Sequence, residues 1–302
     1  MSSRIVVVTV GLAGCAFSLA PATSDAPITD APVTDAADAA MCTADPGGPC
    51  PAGYVLVPQN CAFAAGAFCI AKYEAKYVSN IAQSVALGLP WGGLTPVQAK
   101  AACAANGSRY HLVTNAEWMA TARLIEATPT NWSTVLPSFL SKGRTDHCSN
   151  CPGTGCPSAA DLDTNPCLGT GTSNCTDRNS SDFASNRTHQ LPEGVIWDFA
   201  GNAFEMIDHP ATTNTVEGAH PGISINATTG ANFSPALTDG SYKSATATHT
   251  DEVQNIGLLY VTNASTIMTR GGDYCGFAGI YSVSLLADGE LGYNVGFRCA
   301  YK

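Results

Sequence analysis

The chain has 302 residues, with 24 acidic against 14 basic side chains, a net charge of −10 and only 13% charged residues. No cluster of Lys and Arg exists to track a phosphate backbone, which argues against nucleic acid as a partner. Low charge with abundant Gly, Asn, Thr and Ser predicts a loop-rich extracellular fold, and about 250 residues suffice for one sizeable domain.

The N-terminal residues predict export. Met1 to Arg4 carries one positive charge, Ile5 to Leu12 is an apolar run, and Leu12-Ala13-Gly14-Cys15 follows at once. An apolar stretch this short falls below the roughly 20 residues needed to cross a bilayer, so it reads as a targeting segment. The tetrad resembles a bacterial lipobox, in which Cys15 carries the lipid; the alternative is ordinary cleavage near Ala20. On the lipobox reading, residues 1–15 are the signal peptide, and the protein sits in the bacterial cell envelope or at its surface, touching the membrane through its anchor alone. Residues 16–49 repeat a Thr/Ser-Asp-Ala-Pro unit between Ser24 and Ala36. Acidic, Pro-rich and nearly free of large apolar side chains, they predict a disordered tether.

The folded domain is expected over residues 50–302. Gly53 to Pro58 and Ala67 to Ala75 have the β-branched and aromatic content of strands. Thr95-Pro96 predicts a helix to about Asn106, with Thr95 as N-cap and Val97, Ala101 and Ala102 on its buried side; Asn106-Gly107 ends it. Thr114-x-x-Glu117 is a capping box and predicts a second helix to about Ile125, carrying Trp118, Ala122 and Leu124. Residues 126–190, with five cysteines and much Gly, Asn, Ser and Thr, read as a disulfide-stapled loop region. Val195 to Ala200 returns to strand or tight-turn character, residues 210–250 are again polar, and Ile280 to Leu286 and Val295 to Ala300 are strand candidates.

Thirteen cysteines are present, and setting Cys15 aside leaves an even number, as a disulfide framework in an exported chain requires. Cys148-x-x-Cys151-x4-Cys156 has partial zinc spacing, but no second Cys-x-x-Cys or His pair accompanies it, so disulfides are favoured. His209 beside Asp208 is the one suggestive pairing for a hydrolase, and no Gly-x-Ser-x-Gly elbow goes with it.

Four separated segments fall in one order: Tyr73-Glu74; Tyr110 to Arg123, reading YHLVTNAEWMATAR; Trp197 to Met206, reading WDFAGNAFEM; and Arg270-Gly271-Gly272 with Gly296-Phe297-Arg298-Cys299. Together they resemble the formylglycine-generating enzyme, or sulfatase-modifying factor, superfamily. The resemblance implies an α+β, C-type-lectin-like fold, loop-rich, with few helices and short antiparallel strands. It also implies a structural Ca2+ held by the side chains of Asp198 and Glu205 and the carbonyls of Gly201 and Ala203; the alternative is a turn held by Asp198 and Asn202 hydrogen bonds without metal.

The family's oxidase needs two thiolates for copper. Here Cys275 stands one position early and Ile280 occupies the second position, so no copper and no inherited catalytic residue are expected. The resemblance instead suggests a Cys275–Cys299 disulfide. The variable proteins of diversity-generating retroelements are similar in their Arg-Gly-Gly start, aromatic-rich stretch and terminal Gly-Phe-Arg. That implies a binding surface for a protein or glycan ligand made by Tyr274, Phe277, Tyr281, Ser284, Leu286, Asp288, Glu290, Tyr293 and Asn294, with Glu290 a fixed position if adenines are the mutated sites. A formylglycine-type oxidase and a structural envelope protein are the rival readings.

Overall fold

The computed structural model describes residues 48–60, 65–145, 157–160, 175–209, 231–232, 251–261, 267–274, 278–286 and 291–302. Contacts divide the chain into Met1–Asp35 and Ala36–Lys302, and every described residue lies in the second unit. The signal and lipid-acceptor reading of Cys15, the repeat-bearing part of the tether, Cys275, Phe277, Asp288 and Glu290 lie outside the described residues.

The architecture is mixed α+β and loop-rich. The first sheet runs β1 (Tyr54–Val57), β2 (Phe68–Ala71), β14 (Cys299–Tyr301) and β5 (Tyr110–Leu112), antiparallel throughout. A second sheet runs β13 (Val295–Phe297), β8 (Phe204–Met206), β11 (Ile267–Arg270), β12 (Val283–Leu286), β10 (Leu258–Val261) and β9 (Ala231–Asn232); its β13–β8 and β10–β12 pairs are parallel. Two hairpins complete the strands, β3 (Lys76–Val78) with β4 (Ile81–Gln83) and β6 (Thr188–Leu191) with β7 (Gly194–Trp197). Arg298 alone separates β13 from β14, so the chain changes sheet across one residue.

Helix α1 (Pro96–Ala104) starts as its sequence predicts. Thr95 and Gln98 exchange capping-box hydrogen bonds, with Gln98 N donating to Thr95 Oγ1 at 3.3 Å and Thr95 N to Gln98 Oε1 at 2.8 Å. The buried face differs from the expected one: Val97 is 76% exposed and Ala101 exposed, while Ala99, Ala102 and Cys103 are buried. A helix this rich in alanine has almost no apolar contrast to orient it. Its face is fixed by the Cys103–Cys299 disulfide and by packing beside Leu112 and Phe297.

Helix α2 (Asn115–Ala127) has the second capping box, Glu117 N donating to Thr114 Oγ1 at 3.2 Å and Thr114 N to Glu117 Oε2 at 3.0 Å. It buries Trp118, Met119, Ala122 and Ile125, with Leu124 packed at the margin. Trp118 stacks on Phe199 with centroids 3.9 Å apart and donates from Nε1 to the Ile280 carbonyl at 2.8 Å. Full burial of such a ring stabilises by roughly 2–3 kcal/mol, and here it also joins α2 to the C-terminal segment. A single turn, α3 (Asp251–Gln254), is the third helix among the described residues, and no helix among them is long and apolar enough to cross a membrane.

Two disulfides are described in full, Cys50–Cys69 and Cys103–Cys299; Cys175 is also disulfide-bonded. The expected Cys275–Cys299 bridge is therefore corrected. Side chains alternate along β14, so Cys299 faces the α1 side of its sheet, where Cys103 and Leu112 lie. Cys299 thus ties a helix to the end of the domain across 196 residues.

Candidate functional site

The C-terminal segment begins where β11 ends at Arg270. Its guanidinium donates to Asn115 Oδ1 and, at 3.2 Å, to the Tyr281 carbonyl, so the start of the segment is clamped to the N-terminus of α2. Gly271 and Gly272 follow with positive φ. The Gly271 carbonyl accepts from Gly201 N at 3.0 Å, which brings the Gly-Gly opening against the Asp198–Glu205 turn.

The six expected contact residues that are described separate into two groups. Tyr281, Ser284 and Leu286 belong to the interior and cannot meet a ligand. Tyr281 is fully buried, with its hydroxyl donating to Glu126 Oε2 at 2.5 Å and Arg123 over its ring. Strand β12 is buried on both sides because β11 and β10 flank it and core packs on each face, so the two-faced alternation expected of an exposed strand does not apply.

Tyr293 and Asn294 reach the surface, and Tyr274, only 7% exposed, is buried beside Tyr293. Tyr293 is 39% exposed, and the hydroxyls of Tyr274 and Tyr293 lie 3.5 Å apart. Burial and the neighbouring Tyr293 hydroxyl hold the Tyr274 phenol well above its ordinary pKa, so it stays a neutral donor. Asn294 donates from Nδ2 to Asp273 Oδ2 at 3.2 Å, and its carbonyl accepts from Phe204 N at 2.9 Å, pinning the residue to β8. On the other side, Gly93 N donates to the Gly292 carbonyl at 3.0 Å. Gly92 allows the close approach, since a Cβ there would sit 2.4 Å from the Tyr293 carbonyl oxygen. Asp273, Gly92 and Gly93 were not among the expected residues; Asp273 could have been found by its place between the Gly-Gly opening and Tyr274, whereas nothing local marks Gly92.

The turn between β7 and β8 holds the expected metal donors. Asp198 and Asn202 both have positive φ, and Gly201 is required between them because a Cβ would lie 2.6 Å from the Lys142 carbonyl oxygen. Both carboxylates are already committed. Arg187 grips Asp198 in a bidentate pair, Nε to Oδ1 and Nη2 to Oδ2, each at 2.7 Å. Arg298 grips Glu205 with Nε and Nη2, and also donates to the carbonyls of Ala71, Trp197 and Asp198. Burial works against the Arg298 charge, but Glu205 outweighs it, and the guanidinium pKa ends above its ordinary value. With a guanidinium engaged on each carboxylate, these donors do not fit Ca2+, which needs six to eight oxygens facing an open centre.

Glu74 and Lys76 enter the same cluster from β3 and the residues before it. Glu74 Oε2 lies 3.7 Å from Lys76 Nζ and accepts from Asn202 Nδ2 at 2.7 Å. Burial first, and then the Asp198 carboxylate, push the Glu74 carboxyl up to about 8; burial lowers the Lys76 pKa. Sequence reading placed Glu74 and Arg298 within recognised segments without assigning them a partner, and it missed Arg187 and Lys76, whose partners stand on distant elements.

No protein-family model matches the chain, and no curated protein does. Among solved structures, the chain is similar to Treponema denticola variable protein 1, at 12% identity, with 78% of this chain and 84% of that chain covered and a TM-score of 0.36.

A cavity of about 280 Å³ lies elsewhere, along α2, lined by Pro58, Asn60, Ala120, Arg123 and Leu124. It touches none of the nine expected contact residues.

Proposed function

We propose that the chain is an exported binding protein that presents a small aromatic and polar surface on a rigid C-type-lectin-like scaffold, tethered to the cell envelope through Cys15 and the acidic segment. The observation that carries this reading is the Tyr274–Tyr293 pair beside Asn294. The exposed Tyr293 phenol and the partly exposed Asn294 amide are backed by the buried Tyr274 phenol and Asp273 carboxylate, at an edge whose backbone is held by Phe204 on one side and Gly93 on the other. Tyrosine supplies contact area with little rotamer entropy to lose, and a preformed edge lowers the ordering cost of binding. The ligand class is a protein or glycan.

The oxidase reading has less support, because Ile280, fully buried, stands where the second copper thiol belongs. The test is a screen of the purified chain on protein and glycan arrays, followed by affinity measurement with Tyr293→Ala. Loss of at least tenfold in affinity with an unchanged melting curve supports the reading. Unchanged affinity in the variant, or no response to any arrayed ligand, overturns it.

A further inference from the structure

Among the described residues, the buried cluster around Asn202 brings together three carboxylates and three Lys or Arg side chains, besides His189, and four of these six are matched. Arg187 with Asp198 and Arg298 with Glu205 are bidentate ion pairs at hydrogen-bond distance. Glu74 and Lys76 remain, at 3.7 Å, too long for a hydrogen bond, with their side chains 0% and 3% exposed. Glu74 Oε1 has no hydrogen-bond partner among the described residues. A weakly paired carboxylate and ammonium in such a place are best accommodated by passing the proton across, which leaves a neutral amine and a carboxylic acid. The raised pKa of Glu74 and the lowered pKa of Lys76 agree with that transfer.

Asn202 completes a reactive set. Its leaving nitrogen, Nδ2, is 2.7 Å from Glu74 Oε2, the same oxygen that Lys76 Nζ approaches. Its carbonyl oxygen, Oδ1, accepts from the backbone N–H of Ser158 at 2.7 Å, which polarises Cγ and offers a donor to the negative charge an attacking nucleophile creates there. The Glu74 and Asn202 side chains are buried and that of Lys76 is 3% exposed, so little water, the competing nucleophile, reaches the site.

We infer that Lys76 and Asn202 form an intramolecular isopeptide bond, with Glu74 as the acid–base group. The Lys76 amine, turning about the last bonds of its stem, attacks Asn202 Cγ with its lone pair, and the Oδ1 oxyanion is held by Ser158 N. Glu74 gives its proton to Nδ2 and takes one from Nζ. The Cγ–Nδ2 bond breaks, ammonia leaves, and an Nζ–Cγ amide remains. Nothing is oxidised or reduced and no co-reactant is consumed. The product joins the β3–β4 hairpin to the turn before β8, fastening segments on which Glu74 and Asn202 stand 128 residues apart. It also leaves the two arginine pairs as the remaining buried charges of the cluster.

The test is a tryptic map of the full, reduced and alkylated chain. Acylated Lys76 resists trypsin, so the expected product is one branched peptide joining residues 73–100 to residues 188–243, lighter by one ammonia than the linear sum. Glu74→Gln should yield the linear peptides 73–76, 77–100 and 188–243 instead, and Lys76→Arg should likewise show no branch. The inference is overturned if the folded unsubstituted chain gives the linear peptides. It is equally overturned if residues 188–243 lose ammonia without a branch, which is an Asn succinimide. The unsubstituted chain decides the matter even if neither variant folds.

Discussion

Residues 278–286 and 291–294 both contain Tyr, Leu and Gly, yet their tyrosines end in opposite environments. Tyr281 lies at 0% exposure with its hydroxyl bonded to Glu126, whereas Tyr293 is 39% exposed with its hydroxyl near that of Tyr274. Neighbours make the difference. The first segment enters a strand flanked on both sides and covered above and below, while the second is a turn whose backbone is tied to Gly93 and Phe204 and whose side chains are left outside. An aromatic-rich stretch therefore announces a surface only after its strand neighbours are known.

The strongest way to break this contrast is to remove what holds both regions in place. Arg298→Leu strands Glu205 as a buried charge and frees three carbonyls, and an expected loss of about 3–5 kcal/mol in urea unfolding should abolish the core and the edge together. Next, replacing Cys103 and Cys299 with Ser should lower stability by about 2–5 kcal/mol, read from the melting curve under non-reducing conditions. A smaller effect sharpens the comparison. Tyr281→Phe loses one hydrogen bond and about 1 kcal/mol of stability without changing ligand affinity, while Tyr293→Ala reverses that pattern, with stability held and affinity lost.

The pH dependence should be gentler. Burial lowers the His111 pKa, but its hydrogen bond to Glu117 outweighs this and the net shift is upward from 6.5. For Glu117, burial raises the pKa, but the same His111 bond outweighs it and the net shift is downward from 4.5. The histidine contribution is complete below pH 6.5 and fades as pH rises through the folded His111 value. The glutamate contribution is complete above pH 4.5 and fades as pH falls through the folded Glu117 value. The pair therefore stabilises most between about pH 4.5 and 6.5, and His111→Gln should flatten a stability profile across that window. Smallest of all, Ca2+ or a chelator should leave the melting temperature unchanged; a rise with Ca2+ would contradict the reading of Asp198 and Glu205 as arginine partners.

Local signals carried much of the scaffold. Both capping boxes start helices where Thr95 and Thr114 predict, and four of the strands, β1, β2, β12 and β13, lie within the predicted runs, because each depends on residues close in sequence. What escaped depends on distant partners. The face of α1 is set by a cysteine in β14, and Cys299 could have been assigned to Cys275 or Cys103 with equal local plausibility. Arg187 looks like any loop arginine until Asp198 stands beside it. Of the expected contact residues, Tyr293 and Asn294 reach the surface, whereas Tyr274, Tyr281, Ser284 and Leu286 are buried, because burial by neighbouring elements leaves no mark on a segment's own composition.

The single residue between β13 and β14 has a consequence for the order of folding. Val295 to Phe297 pair with β8 at the edge of one sheet, whereas Cys299 to Tyr301 enter the middle of the other, between β2 and β5. The four-stranded sheet is therefore complete only when β14 is in place, and pairing Tyr301 with Cys69 closes a very long loop, so its assembly is a late step of folding.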